Sequence, residues 1–254
     1  MEKIIQLRKS LARIAVFAIL SISSIGCGPY MEFGSTHYST IEEKTFNTTP
    51  GKNFNIEAFS GDVIISTSNE PQVYVKVLGN DRTRKKVNIN FENSDEGVSV
   101  IAKRKDGWNF FNFGSGTKLR FEVVLPENYN AKVTTAGGDI LLSNLNGRIE
   151  LHSSGGDIKL RNTKGETSVS TSGEDVSSTN STGNLEFKTS GGDVNIKKFN
   201  GSVDASTSGG DITCNFPTTN VQNISSHKYE AELNNGGNPL VVKSSGGDIV
   251  VRSK

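Results

Sequence analysis

The sequence predicts an all-β fold, a parallel β-solenoid (β-helix) with about 18 residues in each coil of its regular part. Two observations predict it. A Gly-Gly-Asp motif followed by Ile or Val recurs at even spacing, as in "TSGGDVNI" and "TSGGDITC", and apolar residues alternate with polar ones on both sides of it. Alternation with a period of two indicates a half-buried strand, and an unbroken period of this size is typical of stacked repeats.

The first 26 residues have the pattern of a secretory signal peptide. A basic segment, "MEKIIQLRKSLAR", precedes the apolar run "IAVFAILSISSI". This run is shorter than the ~20 residues of a membrane-spanning helix. It is followed by Gly26-Cys27, which resembles a bacterial lipobox, although Ser24 stands where Leu is more usual.

Cys27 is therefore predicted to be the lipid-attachment residue of the mature chain. Acyl chains such as palmitate hold an N-terminus at a membrane, because each buried methylene contributes about 0.8 kcal/mol. Residues 27–39, which are polar and rich in small side chains, would form the lipidated tether. The alternative is an ordinary secreted protein that is cleaved elsewhere, in which Cys27 has no special role.

Residues 40–130 are predicted to form an irregular N-terminal part of the same solenoid. The segment "FNIEAFSGDVIIST" contains an early copy of the motif at Gly61-Asp62. It is followed by "PQVYVKV", "KVNINFE" and "FEVVLPENYN", which have the composition of strands. No helix is predicted after the signal peptide.

The segment "GWNFFNFGSG" holds a surplus of aromatic residues within this irregular part. These are Trp108, Phe110, Phe111 and Phe113. Such a loop could contact a protein, a glycan or a membrane surface. It could equally be a hairpin that caps the end of the solenoid and shields an edge strand, which we favour because stacked repeats need such caps.

Residues 131–216 are predicted to contain the regular 18-residue repeats. Each repeat is strand, turn, strand, turn, and stacking pairs each strand with its equivalent in the next coil. The Gly-Gly corner is expected to allow positive φ. After residue 216 the spacing slips, since Asp211 and Asp248 are 37 positions apart, so residues 217–254 are expected to form irregular coils and a cap.

The recurring aspartates are predicted to form a structural ladder along one corner of the stack. Carboxylates at this corner can accept hydrogen bonds from the free N–H groups of the turns. A calcium ladder is the alternative, but the spacing differs from that of calcium-binding β-rolls, so we expect no metal and no cofactor. The residues are Asp139, Asp157, Asp175, Asp193 and Asp211.

Composition and the remaining reactive residues limit the function. The chain has 28 basic and 27 acidic residues, so no nucleic-acid partner is expected. Cys214 is the other cysteine besides Cys27 and falls in an inward-facing column, where we expect an inert buried thiol. His37, His152 and His227 are scattered, and no catalytic residue is predicted.

The segment "FEVVLPENYNAKVTTAGGDILLSNLNGRIELHSSGGDIKL" resembles the bacterial putative-adhesin family of β-strand-repeat domains. More loosely, it is similar to the putative auto-transporter adhesin head domain. The shared features are a strand that ends in Leu-Pro and Ser/Thr-rich "GGDI" strands that alternate with "G-x-I/V" strands. The resemblance implies a β-helical extracytoplasmic domain without an established activity.

These observations together predict a non-enzymatic lipoprotein of the bacterial cell envelope, held at the outer membrane or cell surface. Its function would be structural or adhesive, with an unidentified protein or glycan as ligand. The alternative is a polysaccharide-binding or polysaccharide-active β-helix protein. Carboxylates and cations clustered in a groove would favour this alternative, and a flat wall of Ser, Thr and Asn would favour the first function.

Overall fold

A computed structural model describes residues 38–105, 117–215, 218–233 and 237–253. These residues form two sheets of 10 and 11 strands, and the inward side chains of both sheets belong to one apolar core. Pairing between strands is mostly parallel. The prediction of an all-β, solenoid-like fold is therefore confirmed.

The strands of the N-terminal part are long, and one short helix lies among them. In chain order the elements are β1 (Ser39–Asn47), β2 (Asn53–Ala58), β3 (Asp62–Ser68), β4 (Gln72–Gly79), α1 (Asp81–Lys86), β5 (Val87–Ser94), β6 (Gly97–Arg104), β7 (Leu119–Pro126) and β8 (Asn130–Thr135).

Short strands of four to six residues follow, each ending at a corner of the coil. They are β9 (Ile140–Ser143), β10 (Ile149–Ser153), β11 (Ile158–Arg161), β12 (Thr167–Thr171), β13 (Val176–Thr179), β14 (Leu185–Thr189), β15 (Val194–Lys197), β16 (Ser202–Thr207) and β17 (Ile212–Asn215). The C-terminal strands are β18 (Thr218–Ile224), β19 (Lys228–Leu233), β20 (Pro239–Ser244) and β21 (Ile249–Arg252).

From β7 to β17 the strands alternate between the two sheets as the chain winds. Sheet I has the order β1-β4-β7-β3-β9-β11-β13-β15-β21-β17, and sheet II has the order β18-β19-β16-β20-β14-β12-β10-β8-β2-β6-β5. In sheet I, Ile158 lies between Ile140 and Val176 on parallel neighbours. In sheet II, Thr167 lies between Ile149 and Leu185. These paired residues are 18 positions apart in the sequence.

The last coil lies inside the stack instead of at its end. β20 lies between β14 and β16 in sheet II, and β21 lies between β15 and β17 in sheet I. The expectation that each coil lies on the preceding one in the sequence is therefore wrong for this coil. The cause is the β18–β19 hairpin, because β19 pairs antiparallel with β16 and occupies its other edge.

The expectation of no helix after the signal peptide is also wrong, because α1 connects β4 of sheet I to β5 of sheet II. Asn80 caps this helix, its side-chain oxygen accepting the N–H of Thr83 at 3.0 Å. Thr83 is fully buried and donates its hydroxyl to the carbonyl of Lys118 at 2.6 Å. A polar six-residue helix without an apolar face leaves no periodic signal in the sequence.

Close packing between coils explains the Gly-Gly corners. A Cβ on Gly156 would lie 2.0 Å from the carbonyl oxygen of Gly138 in the neighbouring coil, whereas a Cβ on Gly155 would meet nothing closer than 3.9 Å. The φ of Gly156 lies outside the left-handed region, so the expectation of positive φ is wrong there, although Gly138 has φ of 134°.

Candidate functional site

The structure brings the five predicted aspartates into one line and adds two more to it. Except at Asp62, which begins the line, each aspartate N–H donates to the Oδ1 of the aspartate in the neighbouring coil. The donor–acceptor distances are 3.3 Å for Asp139 to Asp62, 3.0 Å for Asp157 to Asp139, 3.3 Å for Asp175 to Asp157, 2.8 Å for Asp193 to Asp175, 2.8 Å for Asp248 to Asp193 and 2.9 Å for Asp211 to Asp248.

This aspartate ladder ties neighbouring coils together. The bond crosses to the next coil, whereas the sequence suggested a bond within each turn. The hydrogen bond from a backbone N–H to a carboxylate offsets part of the repulsion between stacked carboxylates. Two second oxygens are also engaged, by Lys159 on Asp157 at 2.9 Å and by Arg120 on Asp62 at 3.1 Å.

We expect removal of divalent cations to leave the thermal stability unchanged. One oxygen of each stacked aspartate except Asp211 already accepts a backbone N–H, whereas Ca²⁺ takes six to eight oxygen ligands. Within the described part of the chain, no group of three or more metal-ligating side chains converges. The measurement is the melting temperature with EDTA and with added Ca²⁺. A fall with EDTA that Ca²⁺ reverses would contradict the structural role.

A second ladder, which sequence reasoning missed, consists of buried hydroxyls at the ends of β8, β10, β12, β14, β16 and β20 in sheet II. Thr189 donates to the carbonyl of Glu174 in the neighbouring coil at 3.2 Å and accepts the N–H of Gly192 at 3.1 Å. Ser153 does the same with Gly138 and Gly156. The signal was present in the sequence, because Ser or Thr stands two residues before each Gly-Gly-Asp or Gly-Glu-Asp motif. Its role is structural.

The outer face of sheet II carries the most concentrated charge cluster of the described residues. Glu150 accepts from Lys132 at 3.0 Å and from Arg148 at 2.9 Å, and Arg148 also lies 3.9 Å from Glu166. His152 lies beside this cluster, with its Nδ1 3.4 Å from the Ser170 hydroxyl. The side chains line a shallow cavity of about 410 Å³.

The chemistry of this cluster suits binding better than acid catalysis. The hydrogen bond from Lys132 lowers the pKa of Glu150. A glycosidase requires the opposite, a carboxylic acid whose pKa is raised so that it can protonate the leaving group.

Cys214 is partly buried and lies in β17, an edge strand of sheet I. Burial raises the pKa of its thiol to about 12, so the thiol stays protonated at neutral pH and is a poor nucleophile. His227 contacts Ser226 at 2.8 Å on an exposed turn. Cys27, His37 and the aromatic segment with Trp108, Phe110, Phe111 and Phe113 lie outside the described residues.

Part of the chain that forms these coils matches a known family of domains. Residues 130–252 match the family model of Toastrack DUF4097. This segment is just under half of the chain and resembles the Toastrack domain. It begins with β8 and includes the aspartate ladder from Asp139 onwards as well as the final coil. None of the curated proteins compared with the chain matches it.

Solved structures resemble most of the chain, beyond the segment that matches the family model. A putative cell adhesion protein from Clostridium sporogenes has a TM-score of 0.51 and 14% identity, over 85% of this chain and 100% of its own. A putative adhesin from Bacteroides fragilis has a TM-score of 0.45 and 13% identity, over 85% and 97%. A putative lipid binding protein from Parabacteroides distasonis has a TM-score of 0.38 and 14% identity, over 83% and 96%.

The resemblance inferred from the sequence is confirmed by the Toastrack match. At 14% identity the likeness to the Clostridium sporogenes structure shows a shared fold. No helix among the residues that the structure describes is both long and apolar enough to cross a membrane.

Proposed function

We propose that this chain is a non-enzymatic module of the bacterial cell envelope that binds a ligand on the outer faces of its stacked strands. The observation that carries the proposal is that different positions within each coil have different roles. The recurring Asp, Ser and Thr residues are engaged in bonds between coils, and the inward columns form the core. Chemical variety is therefore left to the outward positions.

Those outward positions form regular rows on a rigid support. In sheet II, Lys132, Glu150, Ser168 and Glu186 are consecutive members of one row in strict parallel register. Neighbouring members are ~4.8 Å apart along the stack. Such a face suits a shallow, extended contact with a protein or glycan, and the likeness in fold to a protein named as a putative cell adhesion protein supports this use.

The test is a binding screen of the purified chain against host matrix proteins and envelope glycans, with release of reducing sugar measured in parallel. We expect saturable binding to at least one member of the panel without turnover. Absence of binding across the panel would contradict an interaction module. Release of sugar would instead establish an enzyme.

We also propose that the module is lipid-anchored through Cys27 and displayed outside the inner membrane. The basic and apolar segments before Cys27 support this. Replacing Cys27 with serine is expected to move the protein from the membrane fraction to the soluble fraction, because the acyl chains are lost. The matched control is Cys214→Ser, which should stay in the membrane. Unchanged fractionation of Cys27→Ser would exclude the anchor.

Polysaccharide binding on sheet II is a second candidate, favoured by the cluster of Glu150, Lys132, Arg148 and Glu166. This mixture of carboxylates and cations is the arrangement that we expected of a glycan-binding protein. Here Lys132 and Arg148 each lie within 3.0 Å of the Glu150 carboxylate. The charges of the cluster are therefore paired with one another in the absence of a ligand. The glycan arm of the screen tests it, with Glu150→Gln as the variant.

A further inference from the structure

We propose that the outer face of sheet I binds an acidic polysaccharide along a row of unpaired cations. This cationic row consists of Arg161 in β11, Lys197 in β15 and Arg252 in β21, with Lys198 at the adjoining corner. The inference rests on the proposed function, since it names the ligand class and the site of the same binding module.

Strand register places these cations in a line. Arg161 is opposite Thr179 of β13, Thr179 is opposite Lys197, and Lys197 is opposite Arg252. At ~4.8 Å per strand, Lys197 and Arg252 are immediate neighbours and Arg161 lies ~10 Å from Lys197. The insertion of the last coil between β15 and β17 creates this arrangement, because it brings Arg252 beside Lys197.

The cations of the row are exposed and have no acidic partner among the described residues. Sheet II differs, because Lys132 and Arg148 there are within 3.0 Å of Glu150. The aspartate ladder begins the same strands but lies four residues away, which is ~13 Å in extended chain. This exceeds the screening length of about 8 Å at physiological salt, so the ladder neutralises the row poorly.

An amide ladder runs along the corner beside the cationic row. Asn144, Asn162 and Asn180 follow β9, β11 and β13, and all three have left-handed backbone, with φ of 64°, 52° and 58°. Nδ2 of Asn162 donates to Oδ1 of Asn144 at 2.9 Å, and Nδ2 of Asn180 donates to Oδ1 of Asn162 at 2.8 Å. Lys198 occupies the same corner position one coil further on, with φ of 56°.

The combination of cations and fixed amides determines the class of ligand. Cations bind carboxylate or sulfate groups, and each amide keeps a second N–H that can bind a hydroxyl. A linear acidic polysaccharide presents both groups at regular intervals along an extended chain. Single-stranded nucleic acid is disfavoured, because it binds on aromatic stacking platforms and the outward positions of β11, β13, β15 and β21 hold no aromatic side chain.

The experiment measures binding of the full chain, purified in detergent, to polygalacturonate, with neutral dextran and single-stranded DNA as comparison probes. The variant is R161S/K197S/R252S. The matched control is K103S/K188S/K243S, which removes the same charge from the outer face of sheet II and leaves the Lys132–Glu150 cluster intact. Because all six side chains are exposed, both variants should melt like the wild type.

We expect the wild type to bind polygalacturonate and not dextran. Its affinity for polygalacturonate should fall as the salt concentration increases. The sheet I variant should bind polygalacturonate about tenfold more weakly than the wild type, and the control variant should lose much less affinity. Equal losses in the two variants, or equal binding of DNA, would overturn the site. If the chain does not bind polygalacturonate but binds another member of the screening panel, this inference is wrong and the proposed function stands. If nothing binds, the proposed function fails as well.

Discussion

Replacing Ile249 with alanine is expected to lower the free energy of unfolding by about 4 kcal/mol, near the upper end of the range for a buried Ile. Ile249 is fully buried, with Val194 opposite it on β15 and Ile212 opposite it on β17. The cavity left by the substitution would be enclosed by coils on both sides, so it could not collapse. Urea denaturation monitored by circular dichroism gives the value.

The matched control is Ile212→Ala, the same substitution in the same column. Ile212 lies in β17, the last strand of sheet I, and is partly exposed. We expect a loss of about 1 kcal/mol there, because water can reach the truncated side chain. If the coils followed their order in the sequence, Ile212 would be enclosed and Ile249 terminal. A larger loss for Ile212 than for Ile249 would therefore contradict the stack order.

Replacing Gly156 with alanine is expected to cost about 3 kcal/mol, which is typical of severe overpacking. The added Cβ would lie 2.0 Å from the carbonyl oxygen of Gly138, and the atom it meets is backbone. Relief therefore requires two coils to separate, which weakens the bond from Asp157 N–H to Asp139 and the bond from Gly156 N–H to Ser153. The melting temperature should fall by about 10 °C.

Gly155→Ala is the control for this prediction and should change the stability by less than about 0.5 kcal/mol. A Cβ at this position meets no atom closer than 3.9 Å, and the residue is exposed. If the two substitutions cost the same, close packing between coils is not the reason for the second glycine.

The winding could be predicted because each physical requirement of a coil leaves its own trace in the sequence. Inward residues such as Ile158, Leu160 and Val169 alternate with polar residues, and the aspartates recur wherever a coil must be tied to its neighbour. In both the aspartate ladder and the hydroxyl ladder, each repeat contributes one residue at a fixed position, and that residue bonds to the neighbouring coil. Period and residue type therefore predicted the line of aspartates, although not the bonds between coils, and the hydroxyl ladder was missed although its residues recur in the same way.

The position of the last coil could not be predicted, because the coils are interchangeable in the sequence. Val194, Ile212 and Ile249 each follow a Gly-Gly-Asp motif, so each strand could pair with either of the others. The outcome depends on the β18–β19 hairpin, which takes one edge of β16 and leaves the other for β20. The cationic row depends on that outcome, since Arg252 adjoins Lys197 through it.

The most direct test of the stack order is a pair of spin-label distances measured by double electron–electron resonance. One label is placed at Leu141 in β9, and the second at Val250 in β21 or at Thr213 in β17, in a chain whose two native cysteines are serine. Four strand steps separate Leu141 from Val250 and five separate it from Thr213, which is ~19 Å and ~24 Å. The structure requires Val250 to be the nearer label. Thr213 nearer than Val250 would contradict it.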